Sequence, residues 1–599
     1  MLADKKLQPT VSGQDNPQLH YQIACPQPAS HLFEVKLTVE DWQQPTLDLM
    51  LPVWTPGSYL VREYAKHLQD FSAQSLSGQP LAWIKQSKNH WQVTTPIAES
   101  VQISYRVYAN ELSVRTNHLD QTHAYFNPAA LCFYLPGLEQ QAIAITVTPP
   151  DQAWQVTTPL PHLESQPNTF LAPDFDTLVD SPFEIGAHAI YDFVVLGKPH
   201  QLAIWGEGNL DPARIIADTQ KLIEVEADLF GGLPYDRYLF LLHLSSQGNG
   251  GLEHKTCCSL NYPRFGFRSE EKYNRFLTLV AHEFFHLWNV KRIRPQALEA
   301  FDYGAENYTP SLWFSEGTTS YYDQLFPLRA QLFDAKWYLK LVSESITRLQ
   351  TTPGRRVQPA SESSFDAWIK LYRPDANSRN AQISYYLKGE LVSMLLDLLI
   401  RHRHPGTKSL DDVMRQMWQQ FGQPEIGFSP AQLQAVIESV AGQDLGDFFA
   451  CYVDGTAELP FENYLHPFGL ELQAEVNPDD QPYLGMSVKT DRATTQIQAI
   501  DSGSPAEQAG LNVGDEVLAM AGFRITADQW SERLKNYQPG DRLDLTVFHQ
   551  DQLRTCTLQL AEPIPTRYQI HLRSELTSQQ RTNLESWLGE GAASLLAKS

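Results

Sequence analysis

Residues 270–295 read EEKYNRFLTLVAHEFFHLWNVKRIRP. The apolar residues Tyr273, Phe276, Leu277, Val280, Phe284, Leu287 and Trp288 recur at helical spacing. Ser269 is placed to cap the start, Glu270 and Glu271 suit the positive end of the helix dipole, and Pro295 limits the far end. At about 100° per residue, His282 and His286 fall about 40° apart on the wheel, roughly opposite the apolar stripe, and Glu283 lies about 60° beyond His286. One face of this helix is therefore expected to enter a core while the other presents two imidazoles to a cleft. Histidines at i and i+4 can share one tetrahedral zinc, with the Glu between them free to take a proton from water. A helix that merely carries two histidines on its wet side is the alternative.

Working outward, a third ligand is found in WFSEGTTSYY, residues 313–322. Glu316 opens what reads as a second helix, and a two-His, one-Glu set leaves zinc's fourth position for water, the catalytic arrangement. Glu306 is the nearest competitor, but its setting, YGAENYTP, reads as a loop. Asp323, farther along the same helix, reads equally as an orienting acid or a surface one. Lys291, Arg292 and Arg294 crowd the expected last turn of the first helix, where they complement the dipole and bind carbonyls or acids. Upstream, the strand YLFLLHLSS runs into Gly248-Asn249-Gly250-Gly251-Leu252-Glu253-His254. Its glycines permit close approach of a ligand, and Glu253 stands at a strand end, so this stretch is read as a substrate-binding edge.

A chain of 599 residues exceeds one core and predicts roughly three or four domains. A net charge of −23 disfavours nucleic acid or an anionic membrane as partner. No run approaches the roughly 20 apolar residues of a membrane span. The start, MLADKKLQPTVSGQDNPQ, has no apolar region of signal type, and the six cysteines lack ligand spacing and read as reduced thiols. A cytoplasmic location is expected.

Residues 1–187 alternate short apolar strings with Pro, Gly and Asn turns, predicting an antiparallel β domain, a sandwich. Within it the aromatic stretch PVWTPGSYLVREY, residues 52–64, reads as interdomain contact, with a reach to the catalytic cleft as the alternative. Residues 188–466 carry the metal helix and a mainly helical second half, including Ile383-Ser384-Tyr385-Tyr386-Leu387-Lys388-Gly389. The paired tyrosines serve packing, or one donates a hydrogen bond to a developing oxyanion. Residues 467–565 form a small β-rich unit around SPAEQAGLNVGD, and residues 566–599 read as one weak helix and a tail.

VWTPGSYLVREYAKHL, GGLEH, HEFFHLWNVKRIRP, WFSEGTTSYY and SYYLKG, in this order along the chain, resemble the glycyl aminopeptidases, family 61 of the metallopeptidases, within the gluzincin clan, a likeness that covers about residues 15–565. PAEQAGL and GD resemble a PDZ domain. The resemblance implies a multidomain α+β protein: an N-terminal β domain, a thermolysin-like zinc peptidase domain with a helical C-terminal half, and a PDZ domain. It implies one zinc per chain on His282, His286 and Glu316, with Glu283 as general base and later acid. It gives Gly250, Gly251 and Glu253 to the substrate, Glu253 holding the free amine, and the oxyanion to Tyr386 with Tyr385 as fallback. Related enzymes often read GAMEN where this chain reads GGLEH, so His254 replaces an Asn. The expected activity is removal of small residues, Gly or Ala, from peptides with a free N-terminus, bulky ones being excluded by an aromatic wall near Tyr385 and Phe285. Its rivals are an endopeptidase whose PDZ domain captures substrate C-termini, and a non-catalytic peptide-binding scaffold. The PDZ unit either binds C-terminal peptides or serves as a packing module.

Overall fold

The computed structural model describes residues 10–11, 17–163, 166–246, 248–476, 481–491 and 494–596. The chain divides into two compact units, Met1–Tyr308 with Met417–Phe428, and Thr309–Gln416 with Ser429–Ser599.

In the first unit, strands such as Leu19–Ala24, Leu32–Trp42 and Glu99–Tyr108 bury alternate residues, as one-face burial of a sheet requires. They belong to an eight-stranded sheet in which Leu32–Trp42 lies between Leu19–Ala24 and Glu99–Tyr108. Tyr21, Phe33, Val35, Leu37, Ile103, Tyr105, Phe133 and Ile145 share its core. Tyr21 and Tyr105 keep their hydroxyls satisfied there by donating to the Phe133 and Leu131 carbonyls at 2.6 and 2.8 Å. Most pairings are antiparallel, as the sequence predicts. Leu19–Ala24 and Ile143–Thr148 pair in parallel, which the long connection between them permits.

A four-stranded sheet in the same unit holds β1 (His118–Leu119), β2 (His123–Phe126), β3 (Gln155–Thr157) and β4 (Phe183–Gly186), in the order β3-β4-β2-β1. A five-stranded sheet follows: β5 (Ala189–Val195), β6 (Lys198–Trp205), β7 (Tyr238–Ser245), β8 (Gly250–Glu253) and β9 (Cys257–Pro263), ordered β5-β6-β7-β9-β8. Strand β7 is parallel to both neighbours and buried on both faces, which explains its unbroken apolar run. The crossover from β6 to β7 is α1 (Pro212–Phe230). Asp211 caps it by accepting from the Ala213 and Arg214 amides, and Gly231 closes it at φ 78°. The apolar stripe of α2 (Glu270–Phe285) packs on this sheet, Phe284 stacking on Phe240 at 5.8 Å between ring centroids.

The second unit is helical in its first part. A π-helical turn, Trp313–Thr318, leads into α3 (Thr319–Arg329); α4 (Ala335–Gln350) and α5 (Tyr385–Arg403) follow. A Cβ on Gly317 would come closer than 3.0 Å to Gly389, so paired glycines let the π turn lie on α5. Beyond it, strands Met486–Asp491, Thr494–Ile500, Glu516–Met520, Arg542–His549 and Gln552–Gln559 form the PDZ sheet around Ile497, Val517, Met520, Leu545 and Leu558. Residues 566–599, read from sequence as a helix and tail, start with a strand instead. Arg567–Leu572 pairs with Leu470–Glu475. The helix Ser578–Leu588 then buries Trp587 against Tyr338, its indole donating to Tyr321 Oη at 3.0 Å. No helix among the described residues is long and apolar enough to cross a membrane.

Candidate active site and metal-ligand residues

Helix α2 stops ten residues short of the Pro295 limit expected from sequence, at Phe285. His286 is its C-cap, still in the right-handed helical region. The imidazoles of His282 and His286 stand 4.6 Å apart between centroids and nearly perpendicular, at 87°. His286 Nδ1 lies 2.8 Å from the Asn289 carbonyl, which fixes the proton on Nδ1 and leaves the Nε2 lone pair for a metal. Both side chains suit a zinc ligand set by chemistry.

The early stop also relocates the basic residues: Lys291 and Arg292 lie in a turn, and Arg294 in irregular chain, beyond the helix's last turn. Arg292 donates to the Leu287 and Pro234 carbonyls at 2.8 and 3.0 Å, and Lys291 reaches Asp180 Oδ1 at 2.6 Å. These contacts tie down the irregular chain after the second histidine. His254 places Nδ1 3.0 Å from the same Asp180 oxygen.

Strand β8 is the outer strand of its sheet and runs antiparallel to β9. Its Gly251 lies directly on Glu283: a Cβ there would fall inside 3.0 Å of the Glu283 carboxyl. Gly250, at φ 133°, makes no such approach. Glu283 is 5% exposed, and burial pushes its carboxyl up to about 7, against the pull of the His282 and His286 imidazoles and with a further push from Glu253. Glu253, 4% exposed at the end of β8, has an Oε1 with no hydrogen bond among the described residues, as has Glu283 Oε2. Two buried carboxylates with unmet oxygens make a strongly cation-attracting corner.

The aromatic stretch of residues 52–64 reaches both Asp302 and Glu253. Trp54 is fully buried and donates to the Asp302 carbonyl at 2.8 Å. Gly57, at φ 85°, lies against Glu253, where a Cβ would sit 2.5 Å from Oε1. A cavity of about 250 Å³ opens beside them, lined by Trp54, Gly57, Tyr59, Asp180, Glu253 and Lys291 among others.

In the second unit, Glu316 stands inside the π turn, buried, rather than on the first turn of a regular helix. Such π turns widen a helix by one residue and recur at functional positions. Asp323 is buried as well, so it is no surface acid. Ser384 caps α5, and Tyr385 and Tyr386 follow, stacked at 4.6 Å. The Tyr372 hydroxyl lies 3.0 Å from that of Tyr386 and 3.4 Å from that of Tyr385. Burial pushes both hydroxyls well above the usual tyrosine value; for Tyr386 the Glu316 charge adds the next largest push. Tyr385 is fully buried and Tyr386 only half-buried. Phe285, in the first unit, is fully buried too. Glu306 lies in an irregular loop of the first unit.

The first unit thus brings together His282, Glu283, His286, Gly251 and Glu253, and the second brings Glu316 beside Tyr386. Sequence reasoning missed Arg115, whose Nη2 donates to the Gly251 carbonyl at 2.8 Å, and Tyr372. Neither stands in a motif, so no local signal marks them.

Comparison with known proteins bears on this arrangement directly. Residues 20–187 match the Peptidase M61 N-terminal domain, residues 275–392 match the M61 glycyl aminopeptidase family, and residues 482–560 match a PDZ domain. A solved structure of an aminopeptidase N family protein from Idiomarina loihiensis is 32% identical, with a TM-score of 0.89 over 95% of this chain and 100% of that one. The chain belongs to the M61 glycyl aminopeptidase family. This M61 protein is therefore a metallopeptidase of α+β architecture with an N-terminal β domain, a helical middle region and a PDZ domain. An M1 zinc metallopeptidase from Deinococcus radiodurans is 14% identical, with a TM-score of 0.47 over 76% of this chain and 95% of that one. No curated protein matches the chain.

Proposed function

We propose that this M61 protein is a zinc aminopeptidase that removes Gly or Ala from the free N-terminus of peptides. The observation that carries the reading is the pairing of two buried carboxylates across Gly251: Glu283, between the two histidines, and Glu253, at the end of an edge strand. An endopeptidase needs the first; only an enzyme that reads a free amine needs the second.

In this reading His282, His286 and Glu316 hold the metal, two neutral imidazoles and a carboxylate being the donor set of a catalytic zinc. Zinc bound there supplies Lewis-acid activation of water near neutral pH. The substrate lies along the β8 edge, and Glu253 pairs with its ammonium, which confines cleavage to the first bond. Gly251, lacking a Cβ, keeps the strand close enough for Glu283 to meet the attacking water. Glu283 takes that water's proton and returns it to the leaving amine, a task suited to a carboxyl raised toward neutrality by burial. Tyr386 donates its hydroxyl to the carbonyl oxygen as negative charge develops there, an interaction worth about 3 kcal/mol per donor. Its neutral, half-buried phenol beside Glu316 supports it over the fully buried Tyr385. The preference for small first residues rests on the family's description as glycyl aminopeptidases.

The PDZ domain takes peptide C-termini along its edge strand Met486–Asp491 in this account. The unpaired thiols of Cys25, Cys132, Cys257 and Cys258 suit a reducing, cytoplasmic setting. A panel of short peptides with free and acetylated N-termini tests the reading. Acetylation abolishes turnover if Glu253 reads the amine, and equal turnover refutes it; equal rates on glycyl and leucyl anilides refute the small-residue preference.

A further inference from the structure

Away from α2, the first unit holds a second cluster of metal-type donors that the peptidase chemistry leaves unused. Tyr125 on β2 pairs with Glu184 on β4, and His123 stands two residues before Tyr125, so His123 and Glu184 project from the same face of the four-stranded sheet. His243 comes from β7, the central strand of the other sheet. His123, Glu184 and His243 each offer a ligand atom, and these atoms all lie within 4.8 Å of one another. All three are enclosed, at 0%, 1% and 1% exposure.

Their hydrogen bonding is incomplete. His243 Nε2 meets Glu184 Oε2 at 2.8 Å, but Glu184 Oε1, His243 Nδ1 and both ring nitrogens of His123 have no hydrogen-bond partner among the described residues. Buried polar atoms are nearly always paired, so unmet ones on three converging side chains call for an explanation. The three side chains are sealed among aromatic rings, including Trp205, which stacks on His123 at 3.5 Å. A divalent cation supplies the missing partners.

We propose that His123, Glu184 and His243 form a second zinc site, structural in role, which clamps the four-stranded sheet to the five-stranded one. The proposal goes beyond the single zinc expected per chain. Two imidazoles and a carboxylate suit zinc among the common divalent ions. Ligands about 2.0–2.2 Å from a tetrahedral ion stand about 3.4 Å apart. The donor atoms lie within 4.8 Å of one another, which brackets that value. His118 Nε2, 3.2 Å from Asp120 Oδ2, forms a further donor group with Asp120 and His123.

The test uses the full-length chain and Zn²⁺ alone, and does not depend on the aminopeptidase reading. His282→Gln/His286→Gln removes the α2 histidines. After chelation and dialysis this variant takes up one Zn²⁺ per chain by calorimetry and metal analysis, and its Tm rises on zinc addition. Adding His243→Gln, which keeps a side-chain donor toward Glu184, weakens that uptake more than 100-fold. Absence of stoichiometric uptake and of any Tm rise in the first variant overturns the proposal, with no cluster residue altered. Equal uptake by the second variant overturns it too.

Discussion

Replacing Gly251 with Ala separates the cost to chemistry from the cost to folding. The backbone at Gly251 is ordinary extended strand, so an alanine there adds no conformational strain. The added Cβ falls 2.2 Å from Glu283 Cδ, whereas ordinary contact begins at 3.4 Å, so the carboxyl must retreat by about 1 Å. Glu283 is a flexible side chain and moves more readily than the strand, which Arg115 holds at the Gly251 carbonyl. The displacement therefore falls on the proposed general base. Misplacing a catalytic group by about 1 Å costs about 100-fold in rate, while overpacking by one methyl costs about 1 kcal/mol of stability. Steady-state kinetics on a glycyl anilide should show kcat down about 100-fold, with metal content unchanged and Tm lowered by only a few degrees. A Gly251→Ala enzyme with wild-type kcat refutes the placement of Glu283 as base.

Tyr386→Phe should lower kcat about 100- to 1,000-fold with little change in KM, and Tyr385→Phe much less, because Tyr385 is fully buried and Tyr386 only partly so; equal losses remove the assignment. Glu253→Gln should raise KM for free peptides and narrow the gap between free and acetylated substrates, and an unchanged ratio counts against amine reading. Acid should reveal Asp180. Burial alone would lift its carboxyl, but Lys291, the hydrogen bond to His254 and the Lys255 amide together hold it well below the usual range. A carboxyl depressed in the folded state contributes stability above its unfolded value, about 3.9, and that contribution fades as pH falls below it. Chemical denaturation of Asp180→Asn should therefore show lower stability than wild type at pH 7, with the two curves converging toward pH 2. Parallel curves contradict the sign.

The metal helix is legible in sequence because its periodicity, its acidic start and its two histidines are all local signals. Its end at Phe285 is not, since contacts from Arg292 to Pro234 and from Lys291 to Asp180, far apart in sequence, bend the chain there. The PDZ domain shows itself through one turn, Ser504 capping Pro505–Gln508. By contrast, the parallel pairing of Leu19–Ala24 with Ile143–Thr148 depends on closure of a long loop, which no pattern within either strand reports. Arg115, in a turn, and the strand residues His123, Glu184 and His243 are hidden for the same reason: each looks like an ordinary position until the sheets are assembled.

The central claim is that Glu283 moves the proton while neighbouring side chains hold the metal. Turnover of a free glycyl peptide by Glu283→Gln, measured beside its metal content, tests this most directly. The account predicts a protein that binds metal as wild type does and shows no detectable hydrolysis. A Glu283→Gln protein with full metal and wild-type turnover contradicts it.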